Sequence, residues 1–323
     1  MLPQNDGIAL RINFQRIAAG HIQGFTQFNR QGDASQIINM IFCKIYDERF
    51  TRPDDTVKFR AGVNEKDEDV KARILQLFEQ VKRQYNDVID VADSILLDAK
   101  CIKYIVGELQ LYSLKDSSRD AVGDAFEIFI GPSLKGAQGQ FFTPRNVVNM
   151  VIRMVDPDTD ERILDPACGS GGFLVESLRY VWNKLEEKAT ELGWPEAEIE
   201  AEKQKVAIKN FRGIDKDNFL SKVAKAYLAI LGDGRGGVHC ENSLDRFSNW
   251  STKTTEDIQP ETFDVIVTNP PYFKINETSR INEIMQKTIA SSNNETVNTF
   301  ICKIVRFIIW VISTFIIINI TII

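Results

Sequence analysis

A tetrapeptide near residue 270 carries residue types suited to chemistry on an amine. It consists of Asn269, Pro270, Pro271 and Tyr272 and follows the apolar run FDVIVT. Prolines fix the backbone and lack N–H donors, so nearby carbonyl oxygens can face a substrate without a competing donor. The Asn269 side-chain oxygen and the Pro270 carbonyl can then accept from both N–H groups of an exocyclic amine. This pattern favours group transfer to that amine, with Tyr272 stacked on the ring that carries it.

A glycine-rich turn precedes this motif, where DPACGSGGF at 165–173 follows a short apolar run. Glycines let a backbone approach a ligand closely, and a helix start offers free N–H groups. The spacing is not G-x-G-x-x-G, and no phosphate-loop lysine follows. An acidic strand end suits a ligand with an amino group, such as the amino acid moiety of S-adenosylmethionine. The candidate cofactor contacts in this turn are Asp165, Ala167, Gly169, Ser170, Gly171 and Gly172.

A second carboxylate, Asp215, ends the next apolar run, Gly213-Ile214-Asp215. In doubly wound folds this position reaches ribose hydroxyls, usually about 20 residues after the glycines. The gap is longer here because a long helical region lies between the two motifs. We predict that Asp215 binds the cofactor ribose, and the alternative is that it caps the helix that follows.

Strands that alternate with helices are expected to position these motifs. Short apolar runs predict strands at 162–165, 211–214, 237–240 and 263–268, and helical patterns predict helices at 173–205, broken near 193–195, and at 218–231. The alternation indicates an α/β fold with a mainly parallel, doubly wound sheet. Ligands bind at the carboxyl edge of such a sheet. The region before it is predicted to be helical, from apolar residues at helical spacing: Val70, Ile74, Leu77, Phe78, Val81 and Tyr85.

Composition narrows the class of protein. The 323 residues, 43% of them hydrophobic, are typical of a soluble chain with two domains. The net charge of −6 is unusual for a chain that binds DNA by itself, because such binding depends on basic residues at the phosphates. It indicates either that partner subunits supply part of the DNA-binding surface or only that the chain is soluble. Five scattered cysteines and two histidines show no metal-ligand spacing, which argues against a zinc site and favours the cytoplasm.

The motifs together resemble a known family. DPACGSGGF with NPPY is similar to the signature pair of amino-group methyltransferases that use S-adenosylmethionine. The run GQFFTPR at 139–145 resembles a segment of the methylation subunits of type I restriction–modification systems, which methylate N6 of adenine in DNA. The resemblance covers roughly residues 120–272. It implies a Rossmann-like methyltransferase sheet preceded by a helical N-terminal domain.

The resemblance also implies further contacts and partners. It places Asn242, after the third strand, near the adenine ring of the cofactor, and implies a target adenine flipped out of the DNA duplex. It implies a specificity subunit that reads the DNA and a restriction subunit, so the chain alone is expected to methylate poorly or not at all. The segment implied to cover the cofactor consists of Gln140, Phe141, Phe142, Thr143, Pro144 and Arg145.

The last residues depart from the family pattern. Residues 307–323 contain no charged residue and are rich in isoleucine, and seventeen residues are at the lower limit for a membrane span. Polar residues within them weaken that interpretation. We predict a truncated or frame-shifted end, an incomplete sheet with an exposed edge, and weak or absent methylation. The expected organisation is a helical domain at 1–138, a partial methyltransferase domain at 139–275 and an aberrant apolar tail at 276–323.

Three alternative functions remain open at this point. Methyltransferases that act on RNA or on a glutamine of a protein also use NPPY, although GQFFTPR favours DNA. A truncated remnant that binds only cofactor or partner subunits is the second alternative. The third is a nicotinamide-dependent oxidoreductase, in which NPPY has no role.

Overall fold

The computed structural model describes residues 31–52, 54–86, 88–114, 143–232 and 237–269. These residues form two compact units. The first contains the described residues of Met1–Gln140 together with those of Lys225–Gly236, and the second contains the described residues of Phe141–Ala224 and Gly237–Ile323. The expected tail at 276–323 lies outside the described residues, and the domain boundaries drawn from the sequence stay a prediction.

Before residue 115 the described chain forms helices α1 (Gln31–Phe50), α2 (Asp67–Gln84) and α3 (Ala99–Leu109). In α2, acidic residues in the first turn and basic residues in the last turn complement the helix dipole. Its core face was predicted by the helical spacing, and the residues buried on it are Val70, Ile74, Leu77, Phe78 and Val81. Tyr85 ends the helix and packs edge-on against Phe42, with ring centroids 5.0 Å apart.

From residue 143 onward, helices and parallel strands alternate. The strands are β1 (Ile163–Asp165), β2 (Phe211–Asp215), β3 (Val238–Cys240) and β4 (Val265–Ile266). The α-helices are α4 (Arg145–Val155), α5 (Gly172–Glu191), α6 (Glu196–Asn210), α7 (Asn218–Gly232) and α8 (Thr252–Asp257), and a 3₁₀ turn covers Phe247–Asn249. The break predicted near 193–195 lies between α5 and α6, where Gly193 has φ +75° and Pro195 precedes the new helix.

The strand order is β3-β2-β1-β4, and every pairing is parallel. The chain therefore moves outward from β1 to β3 and then returns to the other side of β1. In doubly wound sheets, a ligand crevice opens at the carboxyl ends of the two strands where the order reverses, here β1 and β4. The predicted α/β class is confirmed, and the sheet has four strands among the described residues.

β4 is shorter than predicted, because only Val265 and Ile266 pair with β1 as a ladder. The apolar residues on either side of them are still buried, as Phe263 and Val267 show. Within the described chain, β4 has a strand neighbour on one side only. Hydrogen bonds to β1 continue on both sides of this ladder, because the N–H groups of Asp264 and Val267 donate to the carbonyls of Arg162 and Leu164 over 3.0 Å. The apolar run therefore predicted the whole buried segment rather than the ladder alone.

Helix α4 is an element that the sequence analysis did not single out. Val148, Val151 and Ile152 are buried at the spacing of one helical face, and the helix packs on α5. It begins immediately after the GQFFTP run. Within the described part of the chain, no helix is long and apolar enough to cross a membrane.

Candidate active site

Asp165 is the last residue of β1, and it is 1% exposed. Burial raises its pKa from 3.8 to about 7; the nearby Thr268 hydroxyl and the Ala167 N–H oppose the rise, and the charge of Asp215 adds to it. The Ala167 N–H donates to the carboxylate over 3.1 Å, whereas the buried Thr268 hydroxyl makes no hydrogen bond within the described residues. None of these influences, all from described residues, is a cation. The carboxylate therefore suits a ligand that brings a positive charge.

The glycine turn is closed by backbone hydrogen bonds. The Cys168 N–H donates to the Ile214 carbonyl over 2.9 Å, and the Gly171 N–H donates to the Cys168 carbonyl over 2.8 Å. Gly169 and Gly171 have φ of +55° and +88°, in the left-handed region that glycine adopts without steric strain. The turn thus joins β1 to α5 and is anchored to β2.

Space around the turn differs from one glycine to the next. A Cβ at Gly171 would lie 3.1 Å from the Ala224 Cβ, so close packing against α7 requires glycine there. At Gly169 and Gly172, by contrast, no heavy atom of the described residues, chain neighbours aside, lies within 4 Å of an added Cβ. Ser170 lies between them and is half-buried. The backbone on this side of the turn is open to a ligand.

Asp215 ends β2 beside this turn. Its two carboxylate oxygens accept from the N–H groups of Gly169 and Asp217, both over 2.9 Å. Burial raises its pKa, and these two hydrogen bonds oppose the rise. Because Asp215 also raises the pKa of Asp165, the two carboxylates lie within electrostatic range of each other. The glycine turn and the two predicted acidic residues therefore form one cluster at the carboxyl edge of the sheet.

Asn269 lies at the same edge, just beyond the end of β4. The Val267 N–H donates to the Leu164 carbonyl over 3.0 Å, which holds this segment along β1. The next residue, Thr268, is the one that lies beside Asp165. The Nδ2 of Asn269 donates to the Thr143 hydroxyl over 2.9 Å, so the NPPY and GQFFTP motifs are in direct contact.

The two residues after Thr143 begin helix α4. Pro144 is exposed, and its carbonyl accepts from the N–H of Val147 over 2.9 Å in the first turn. The Arg145 guanidinium lies 3.8 Å from the Glu176 carboxylate on α5, which also accepts from Arg179 over 2.8 Å. This ion pair and the packing of α4 on α5 fix the helix start near the glycine turn.

Asn242 follows β3 and stabilises the turn after it by accepting two hydrogen bonds. Its side-chain oxygen accepts from the Leu244 N–H over 3.1 Å, and its carbonyl accepts from the Trp250 indole N–H over 3.0 Å. The Glu241 N–H donates to the Asp215 carbonyl over 3.1 Å, so the loop starts beside the second carboxylate. The predicted cofactor contact of Asn242 stays a prediction. Six further predicted site residues lie outside the described residues: Gln140, Phe141, Phe142, Pro270, Pro271 and Tyr272.

Two residues near the site were not found by sequence reasoning. Thr268 faces Asp165, and its only signal was its place as the last residue of the FDVIVT run. Glu176 is 9% exposed on the core side of α5, where an acidic residue among apolar ones was the available signal.

His239 has a structural role, since its Nε2 lies 2.8 Å from the Asp257 carboxylate and its Nδ1 lies 3.1 Å from the Thr254 hydroxyl.

Known proteins resemble this chain in sequence. Relatives include the type I restriction enzyme EcoEI methylase subunit of Escherichia coli, 26% identical over 196 residues, which are 59% of this chain and 35% of the relative. The MjaVII methylase subunit of Methanocaldococcus jannaschii is 40% identical over 85 residues, or 24% of this chain and 15% of the relative. The matched part of the chain thus spans about a third or less of these curated relatives.

A solved structure shows the same fold. The type I restriction-modification system methyltransferase subunit from Streptococcus thermophilus superimposes with a TM-score of 0.54 at 17% identity, covering 83% of this chain and 64% of that one. Residues 117–310 match the profile of the family described as N-6 DNA Methylase, which is more than half of the chain and reaches into the segment expected to be a tail. The resemblance seen in the sequence is confirmed, and the chain belongs to the N-6 DNA methylase family.

Proposed function

We propose that this chain transfers a methyl group from S-adenosylmethionine to N6 of adenine in DNA, as the modification subunit of a type I restriction–modification complex. The observation that carries the proposal is the position of Asn269. It lies at the same sheet edge as Asp165, Gly169 and Asp215, and its amide is held by the Thr143 hydroxyl. An amine-binding residue thus lies beside a cluster suited to the cofactor.

The residues of the cluster fit the chemical groups of S-adenosylmethionine. When bound, the cofactor supplies a methyl group on a sulfonium, which is an electrophile. Asp165 is buried, no cation of the described residues influences its pKa, and it suits the amino group of the cofactor. Asp215 is positioned to accept from the ribose hydroxyls. The open backbone at Gly169 and Gly172 leaves room for a ligand to approach.

On the substrate side, Asn269 supplies an acceptor. The N6 lone pair of adenine is delocalised into the ring, so the amine is a poor nucleophile. An acceptor on each N–H group draws the nitrogen toward a tetrahedral shape, and we assign these acceptors to the Asn269 oxygen and the Pro270 carbonyl. To Tyr272 we assign stacking on the flipped base. Positioning and electrostatics account for the rate, and no strong base is required.

Partner subunits complete the proposed activity. The net charge of −6 leaves a deficit of the cations that neutralise DNA phosphates. A specificity subunit would supply those cations and read the DNA sequence. A restriction subunit would join the same complex in the cytoplasm. The EcoEI and MjaVII relatives are themselves described as subunits of type I enzymes.

Incorporation of a radiolabelled methyl group tests the proposal. The purified full chain, alone and with a specificity subunit, is incubated with labelled cofactor and with DNA, RNA or protein in parallel. We expect label in DNA only, recovered as N6-methyladenine after hydrolysis, and far more of it when the specificity subunit is present. Label recovered from RNA or from a protein glutamine, or no transfer to DNA even in the complex, would overturn the assignment. Robust transfer to DNA would instead show that the weak methylation predicted from the tail is wrong.

A further inference from the structure

One contact in the site joins two motifs that are far apart in the chain. Thr143 and Asn269 are separated by 126 positions, and the Asn269 Nδ2 donates to the Thr143 hydroxyl over 2.9 Å. Both side chains are partly buried. The contact concerns the orientation of an amide, and therefore which end of Asn269 a substrate meets.

The terminal torsion of asparagine is broad and roughly two-fold, so a free side chain exchanges its oxygen and nitrogen ends readily. The two ends have opposite functions, because the oxygen accepts hydrogen bonds and the NH₂ group only donates. An amine substrate needs the oxygen. In the flipped orientation, NH₂ would face the N–H groups of the amine, which places donor against donor.

In the structure the threonine hydroxyl accepts from Nδ2, so the amide oxygen points away from Thr143. This orientation is maintained when the hydroxyl donates its own proton to another acceptor, because it then cannot donate to the amide oxygen. Both partners are attached to packed segments. Thr143 directly precedes α4, whose buried face packs on α5, and Asn269 follows Val267 and Thr268, which are 1% and 8% exposed.

We propose that Thr143 is a positioning residue for methyl transfer, whose hydroxyl holds the Asn269 amide with its oxygen toward the adenine amine. This inference rests on the proposed function and goes beyond the cofactor contact that the sequence resemblance implies for Thr143. The hydroxyl can accept from Asn269 and still donate its own proton elsewhere. Thr143 is therefore suited to link the segment 140–145, which is implied to cover the cofactor, with Asn269, which binds the amine.

The test compares Thr143→Val, which removes the hydroxyl at nearly constant shape, with Thr143→Ser, which keeps it. Each variant of the full chain is studied with its specificity subunit, in single-turnover methyl transfer at saturating cofactor and DNA. We expect Thr143→Val to slow transfer about fivefold to tenfold, which is the scale of one lost hydrogen bond. Thr143→Ser should stay within about twofold of the wild-type rate.

Two further measurements separate positioning from a general structural effect. Cofactor affinity, measured by calorimetry, should change far less than the transfer rate in Thr143→Val. The side-chain ¹⁵N resonance of Asn269 should shift in Thr143→Val and not in Thr143→Ser, because only the former loses the acceptor. If Thr143→Val is poorly folded, Thr143→Ala removes the same acceptor without adding a methyl group.

The positioning role is overturned if Thr143→Val transfers at the wild-type rate, or if its loss is accounted for by weaker cofactor binding. It is also overturned if Thr143→Ser is as slow as Thr143→Val. If instead the wild-type complex methylates no DNA, the proposed function itself fails and the positioning role fails with it. An unchanged Asn269 resonance in Thr143→Val would remove the contact on which the inference depends.

Discussion

The backbone N–H of Gly169 donates to the carboxylate of Asp215 over 2.9 Å, which joins the glycine turn after β1 to the end of β2. The second carboxylate oxygen accepts from the Asp217 N–H at the same distance. Two backbone donors therefore hold the Asp215 side chain before any ligand binds. A preheld carboxylate loses little conformational entropy when it accepts from ribose hydroxyls.

Replacement of Asp215 by alanine should weaken cofactor binding. Hydrogen bonds to charged groups contribute about 1.5–3 kcal/mol, so we expect a roughly tenfold to hundredfold loss of affinity for S-adenosylmethionine by calorimetry. Asp217→Asn is the matched control. The Asp217 carboxylate caps α7 by accepting from Phe219 and Leu220, and asparagine caps a helix equally well. Equal loss in both variants would contradict a ligand role for Asp215.

Cofactor affinity should depend on the ionisation of Asp165. Burial raises the pKa of this carboxyl to about 7, and only the ionised form attracts an amino group. Affinity should therefore rise about tenfold between about pH 6 and pH 8, as the free chain loses this proton. Asp165→Asn should bind more weakly and lose this dependence. A wild-type affinity that is flat over the same range would contradict the assignment.

The same carboxyl should affect stability in the cofactor-free chain. Its pKa is about 7 when folded and near 3.8 when unfolded, so the folded state binds more protons between these values. The free energy of unfolding should then fall as pH rises from about 4 to about 7, through this group. Urea denaturation at several pH values measures the slope. Asp165→Asn should have a shallower slope than the wild type.

Gly171→Ala should destabilise the chain more than Gly193→Ala. Both glycines have positive φ, at +88° and +75°, and alanine in this region costs about 1–2 kcal/mol. Of the two, only Gly171 would bring the new Cβ against another described residue, at 3.1 Å from the Ala224 Cβ. We expect an additional loss of about 1 kcal/mol in the free energy of unfolding. Equal losses at the two positions would show that the close approach of Gly171 to α7 does not affect the free energy of unfolding.

Asn269→Ala should abolish methyl transfer and leave cofactor affinity nearly unchanged. Loss of a single preorganised polar group at the reacting centre lowers the rate by about 10²–10³ in comparable sites. The exposed Asn249, in the 3₁₀ turn, provides a control substitution of the same type. Wild-type turnover by Asn269→Ala would remove the central residue of the proposed mechanism. Loss of cofactor binding instead would reassign Asn269 to the cofactor site.

Local features were readable from the sequence because their causes are local. Helical spacing at Val70, Ile74 and Leu77 predicted the core face of α2, which depends only on neighbouring residues. Glycines after an acidic strand end predicted a tight turn, and Gly169 and Gly171 adopt positive φ there. The alternation of strands and helices predicted a parallel sheet, since parallel strands require crossover connections.

Only the tertiary structure decided which distant residues meet. Thr143 and Asn269 contact each other across 126 positions because α4 packs on α5 and β4 pairs with β1, and neither pairing has a local signal. The pKa of Asp165 depends on burial beneath segments from several parts of the chain. Motifs and their local conformations were thus determined by residue type and spacing, whereas orientation and electrostatics in the site arose from packing between elements remote in sequence.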